Sequence, residues 1–410
     1  MSPAFRFPDG FLWGTVTAAH QVEGNNWLND WWAWEQAGRV KESSGLAADQ
    51  YNRFESDLEI ARSLGHNAYR FSIEWSRIEP TPGFYSEEAI THYAQLIDAC
   101  RRRGLEPIVT LHHFTNPLWF AVQGGWTSPA CVDSFVRYVG MVSHRLGEKI
   151  RWWVTINEPT VLVFYGYLDG RWPPGEKSFP KAIRALENLI RAHQGAYAVI
   201  HAQAKERGQA APRVGLAHHL RCYDPCRRWS LGDRVSVFFR EHLANRWVLK
   251  ACRDRMNFIG VNYYTRDFLH GPGWNPMGFL GTPCENPKHH PEAGPRSGMG
   301  WEIYPEGLRR VLTALKEYRK PILICENGIW TPDDNLRWDF IRRHVEQMAS
   351  AMKEGVEVAG YLYWSLIDNF EWADGFAPRF GLVEVDYATQ ARRIRPSAHR
   401  YADLIRSLSS

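Results

Sequence analysis

Eight short apolar runs recur along the chain, and amphipathic stretches separate most of them. This alternation constrains the fold more than any other feature. The candidate strands are Leu12–Thr17, Asn67–Ile73, Ile108–His113, Arg151–Ile156, Val214–His219, Phe258–Tyr263, Ile322–Cys325 and Val358–Ser365. The candidate helices include Asp49–Leu64, Ser86–Arg103, Pro180–Arg207, Pro305–Tyr318 and Asn335–Lys353, with another opening at Ser128-Pro129 and ending near Gly147. Helix signals bracket several of them: Glu87 and Glu88 sit in a first turn, and Gly65 and Gly104 follow last turns. Strand–helix alternation of this kind predicts a parallel sheet. Eight units in 410 residues predict one (β/α)8 barrel spanning residues 1–410 as a single domain, with its site at the C-terminal ends of the strands. A doubly wound sheet is the competing α/β solution, but no G-x-G-x-x-G opens the first unit.

Charge and cysteine usage narrow the partners. The net charge of +4 is spread without long basic runs, so neither nucleic acid nor a membrane surface is expected. The cluster Arg101-Arg102-Arg103 closes a predicted helix, where cations complement the dipole. No stretch reaches the roughly 18 apolar residues of a membrane span, and Met1–Arg6 has no signal-like core. Seven Cys in no recognisable framework predict reduced thiols and a cytoplasmic location. Cys222 and Cys226 find no second pair in the sequence to complete a zinc site. Oligomeric state is not legible.

Polar residues gather at the predicted strand ends: Gln21, Arg70, His113, Asn157, Glu158, Asn262, Tyr264, Glu326 and Trp364. Glu158 and Glu326 stand out, because each follows an apolar run and a buried charge is costly unless paired. Two carboxyl groups flanking one bond are what glycosidic cleavage requires. The aromatic setting of Glu158 suits a raised pKa and an acid's role; the polar neighbour Asn327 suits an ionised Glu326. His113 is expected to face the site and His112 to pack on the other face. Tryptophan, at 19 residues, suits sugar rings, with its flat apolar face and single donor. The Gly- and Pro-rich stretch 266–300 is long for a barrel connection and reads as a functional lid rather than a mobile insertion.

These residues also carry a family resemblance. The chain resembles family 1 glycoside hydrolases, the β-glucosidase and β-galactosidase family. The resemblance rests on Phe11–Gly24, Tyr69–Ile78, Asn157-Glu158-Pro159, Asn262-Tyr263-Tyr264, Glu326-Asn327-Gly328, Tyr363–Trp372 and Arg379–Leu382, in family order from end to end. It implies a retaining, two-step β-glycosidase that needs no metal or organic cofactor and acts on small-molecule β-glycosides or oligosaccharides. By the resemblance Glu326 is the nucleophile and Glu158 the acid, then the base. Tyr264 and Arg70 support the nucleophile, and Gln21, His113, Asn157, Trp364, Glu371 and Trp372 hold the sugar. Trp330 is a candidate on the aglycone side. A carboxylate at 371 would repel a 6-phosphate. One departure is Cys325, where the family usually has Thr; strand alternation predicts that its side chain points away from Glu326. The alternatives are a transglycosylase using the same residues, or a sugar-binding barrel without catalysis.

Overall fold

The structure is a computed structural model and describes residues 6–271, 278–284 and 286–409. Eight parallel strands form the barrel: β1 Leu12–Val16, β2 Ala68–Ser72, β3 Glu106–Thr110, β4 Trp152–Asn157, β5 Arg213–Pro225, β6 Ile259–His270, β7 Ile322–Asn327 and β8 Val358–Trp364. Consecutive strands pair from β1 to β5 and from β6 to β8, β1 pairs β8, and pairing of β5 with β6 closes the ring. The expected strands are therefore present in the expected order. β5 and β6 run longer than the sequence suggests, because they continue to pair beyond the rim, from Cys222–Arg266 to Pro225–Leu269. A two-residue strand, Thr282–Pro283, adds antiparallel to the outer end of β6, so part of the 266–300 stretch is ordered as sheet.

The helices fill the outer layer within a residue or two of expectation. The helix expected from Ser128 starts later, at Cys131, because Gly125–Thr127 forms a 3-10 turn first. The helical segment 231–252, the C-terminal helix Pro396–Ser409 and the hairpin Val383–Asp386 with Ala391–Ile394 were not anticipated. Among the described residues no helix is long and apolar enough to cross a membrane.

Strand alternation produces two cores. Outward residues such as Tyr69, Phe71, Val109, Trp153, Val261 and Tyr361 pack against the helices. Inward residues Val16, Ala68, Ile108, Val154, Ala217, Leu323, Cys325 and Leu362 fill the lumen. Small residues give the lumen its room: a Cβ on Gly260 would lie 2.6 Å from Leu216 O and 2.9 Å from Cys325 Sγ. Gly260→Ala is therefore expected to cost about 1–3 kcal/mol by overpacking, read as a lower Tm by calorimetry. An unchanged Tm would show that the lumen is looser than described.

Candidate active site

Alternation fails on the two strands that deliver the acidic residues. On β4, Val154 faces the lumen, while Thr155 bonds His193 of an outer helix and Ile156 joins the outer core. A register shift between Val154 and Asn157 follows. Asn157 and Glu158 are then presented together, with Glu158 in a left-handed conformation (φ +46°) immediately before Pro159 opens a short helix. On β7, Cys325 lies in the lumen, yet Glu326 beside it also reaches inward, and Asn327 turns outward to Tyr361. Register shifts against both neighbouring strands span this point. Such irregularities re-aim side chains next to functional sites. They also overturn the expectation for Cys325: it lines the lumen directly beneath the site, and its carbonyl accepts from Arg70 Nη1 (3.2 Å).

The buried guanidinium of Arg70 organises what the irregularities expose. Nη1 donates to Glu326 Oε1 (2.8 Å), Nη2 to Asn157 Oδ1 (2.7 Å) and Nε to Thr110 Oγ1 (2.9 Å). Tyr264 on β6 donates its hydroxyl to Glu326 Oε2 (2.8 Å). Both oxygens of Glu326 thus accept hydrogen bonds. Among the described residues, Glu158 is engaged only at Oε1, by Asn262 Nδ2 (2.7 Å) and His219 Nδ1 (3.1 Å). Asn262 also donates to Asn157 Oδ1 (3.1 Å), so one hydrogen-bonded chain joins the two carboxyl groups.

His219 was missed in the sequence, although it closes a predicted strand. Arg221 Nε donates to His219 Nε2 (2.9 Å), while Asp267 accepts from Arg221 Nη1 (2.9 and 3.2 Å). A ring nitrogen that accepts from a guanidinium carries no proton, so His219 is held as the neutral tautomer that donates through Nδ1 to Glu158.

The protonation of the pair follows. Burial pushes the Glu326 carboxyl up to about 7, with nearby Glu158 adding to the rise and Arg70 and Tyr264 opposing it. At Glu158 burial also raises the pKa, but His219, Asn262 and Arg70 together outweigh it. These directions reverse the sequence expectation. The two acids interact and titrate as a pair. Glu326 accepts on both oxygens, whereas both donors to Glu158 meet Oε1.

The remaining expected residues converge on the same mouth. Gln21 Nε2 donates to Asn369 Oδ1 (3.0 Å), Phe370 O (2.8 Å) and Glu371 Oε2 (3.4 Å). The His113 ring stacks near-parallel to both Trp364 and Trp372, with centroids 5.9 and 6.2 Å away. His112 instead packs edge-on against Trp126 and Phe135. Burial, then Asp374, Glu326 and Glu158, push Glu371 up to about 8. Without sugar it is therefore protonated at neutral pH, which removes the charge behind the expectation that it repels a 6-phosphate. Trp330 lies beside the site through Gly298 and the lumen cluster. Trp301, not singled out in the sequence, meets Tyr264 edge-on at 5.5 Å.

Comparison with known proteins agrees with this geometry. The family model described as glycosyl hydrolase family 1 matches residues 4–252 and 241–409. The chain belongs to this family. Beta-glucosidase A of Thermotoga maritima is 32% identical, with 98% of each chain covered. The solved beta-glycosidase from Pyrococcus horikoshii superposes with a TM-score of 0.92 at 39% identity, covering 99% of this chain and 96% of that one. A Thermotoga maritima beta-glucosidase solved in complex with glucoimidazole superposes with a TM-score of 0.90 at 30% identity, covering 99% and 100%. The family member described here is a retaining β-glycosidase acting through a covalent glycosyl-enzyme intermediate.

The contact between Arg221 and His219 yields a prediction. In Arg221→Gln the donor that fixes His219 Nε2 is lost, and the Nδ1 contact of the ring to Glu158 Oε1 is loosened. kcat/KM for an alkyl β-glucoside should fall with little change in Tm. An unchanged kcat/KM would show that Arg221 does not position His219.

Proposed function

We propose that this chain hydrolyses terminal β-linked glucosides, and the galacto- and fuco-configured analogues, with Glu326 as nucleophile and Glu158 as acid and then base. The hydrogen-bond asymmetry of the two carboxyls carries this reading. Glu326, with both oxygens held by Arg70 and Tyr264, attacks the anomeric carbon as a carboxylate. Glu158 gives its proton to the departing aglycone oxygen. Ionised, it then takes a proton from the water that cleaves the glycosyl ester.

The sugar is held by groups whose partners are incomplete in the protein alone. Among the described residues, Gln21 Oε1, His113 Nδ1 and Asn262 Oδ1 are buried with no hydrogen-bond partner, and a polar atom left so is costly until a ligand or water meets it. Sugar hydroxyls supply those partners, with Glu371 beside Gln21 and Asn157 near the 2-hydroxyl. Trp364 and Trp372 flank the ring, and Trp330 with Trp301 lines the aglycone side. All seven cysteines are buried free thiols, which supports a reducing, cytoplasmic location.

Separating the two steps tests the roles. Glu158→Gln should nearly abolish turnover of alkyl β-glucosides but retain rapid glycosylation by a dinitrophenyl β-glucoside, whose leaving group needs no acid. Azide, which needs no base, should then accelerate turnover and give the β-glucosyl azide. Equal losses on both substrates, without azide rescue, would remove Glu158 from this role.

A further inference from the structure

Away from the catalytic mouth, four side chains converge at the outer end of β6. Cys226 directly follows β5, and His270 is the last residue of β6. Cys284 follows the short strand Thr282–Pro283, and His289 ends the 3-10 turn Pro287–His289. Cys226 Sγ lies 3.2 Å from His270 Nε2 and 3.8 Å from His289 Nδ1, and Cys284 Sγ lies 3.4 Å from the same His289 nitrogen. All four donor atoms fall within 4.8 Å of one another. The sequence paired Cys226 with Cys222 and found no completing pair; in the fold Cys222 turns away to Gly307 O (3.4 Å).

We propose that Cys226, His270, Cys284 and His289 form a structural zinc site that fastens the connection after β6 onto the end of β5. Tetrahedral zinc, with bonds of about 2.3 Å to sulfur and 2.0–2.1 Å to nitrogen, sets its donors about 3.3–3.8 Å apart. Two of the three separations at hand, 3.4 and 3.8 Å, lie in that range and the third, 3.2 Å, falls just below it; two thiols with two imidazoles is a donor set that suits zinc. Backbone pairing fixes both cysteines independently of any metal: Cys226 N donates to Leu269 O (2.8 Å) and Cys284 N to Phe268 O (2.7 Å), on opposite edges of β6. Both thiols are buried, with Phe268 and Ala293, in a cluster separate from the main core, and His290 stacks on Phe268 at 3.7 Å. His289 reaches in from the exposed side. A disulfide would use the two sulfurs and leave the convergence of two imidazoles without a purpose.

A site closed by four protein ligands leaves no open position for substrate, so its role is to hold structure. The segment it fastens has little apolar periodicity, and a metal supplies the cross-link that a core cannot. The same connection continues to Met299 and Trp301, which pack in the lumen cluster beside Tyr264. The zinc thus anchors the far end of the loop that finishes the aglycone side.

The test is metal content of the full chain, purified without chelator and also reconstituted with zinc. Wild type should hold one zinc per chain, and Cys226→Ser/Cys284→Ser none. Cobalt substitution should give thiolate charge-transfer and tetrahedral d–d bands in wild type only. Because the double variant risks misfolding, His289→Ala, at the exposed ligand, provides a second reading: zinc affinity should fall roughly tenfold or more, measured by competition with a chelating dye. A chelator should lower the Tm of wild type and leave the double variant unchanged. Two results would overturn the proposal: wild type that binds no more zinc than the double variant after reconstitution, or a Cys226–Cys284 disulfide in peptide mass mapping under non-reducing conditions.

Discussion

A single buried guanidinium holds the working end of this barrel together. Arg70 rises from β2 into the lumen and bonds Thr110 at the end of β3, Asn157 on β4, and both the Cys325 carbonyl and Glu326 on β7. A buried cation without partners is prohibitive, and breaking a buried pair costs about 3–5 kcal/mol. Here the partners are the groups that the chemistry needs. Through one set of bonds the arginine therefore fixes the position of Glu326 and favours its ionised form. Around it stand Glu158, Glu326 and Glu371; burial first, and then the charge of neighbouring acids, raises Glu326 to about 7 and Glu371 to about 8.

The second determinant is the pair of strand irregularities. A regular barrel would turn Glu326 toward the helices once Cys325 faces the lumen. The register shifts on β4 and β7 bring each acid inward, at the cost of regular pairing at two strand ends. The lumen core below remains apolar and close-packed, so the rim is supported by a rigid floor.

Much of this was legible in the sequence. Buried parallel strands read as apolar runs, and their order follows from chain order alone, so all eight appeared, with ends close to those observed except where β5 and β6 run on to Pro225 and His270. Glu158 and Glu326 were conspicuous because charge ends an apolar run. Strand alternation placed His113 inward and His112 outward, and misplaced Cys325, because it cannot anticipate a bulge. The control of Glu158 by His219 and Arg221 was not legible, since it depends on which nitrogen of the ring accepts a bond. The Cys226 cluster was equally hidden: its members lie up to 63 residues apart and meet only because β5 and β6 extend beyond the rim. Trp301 was missed because the 266–300 stretch gives no periodicity to follow.

The central claim is that Glu326 forms the covalent bond to the sugar while Glu158 handles the proton. A 2-deoxy-2-fluoro-β-glucoside with a good leaving group tests it directly, because the fluorine slows hydrolysis of the glycosyl ester and lets it accumulate. Digestion and mass spectrometry of the inactivated protein should then find one fluoroglucosyl group, on Glu326 in the peptide containing Ile324-Cys325-Glu326-Asn327. A label on Glu158, or inactivation without any label, would contradict the account.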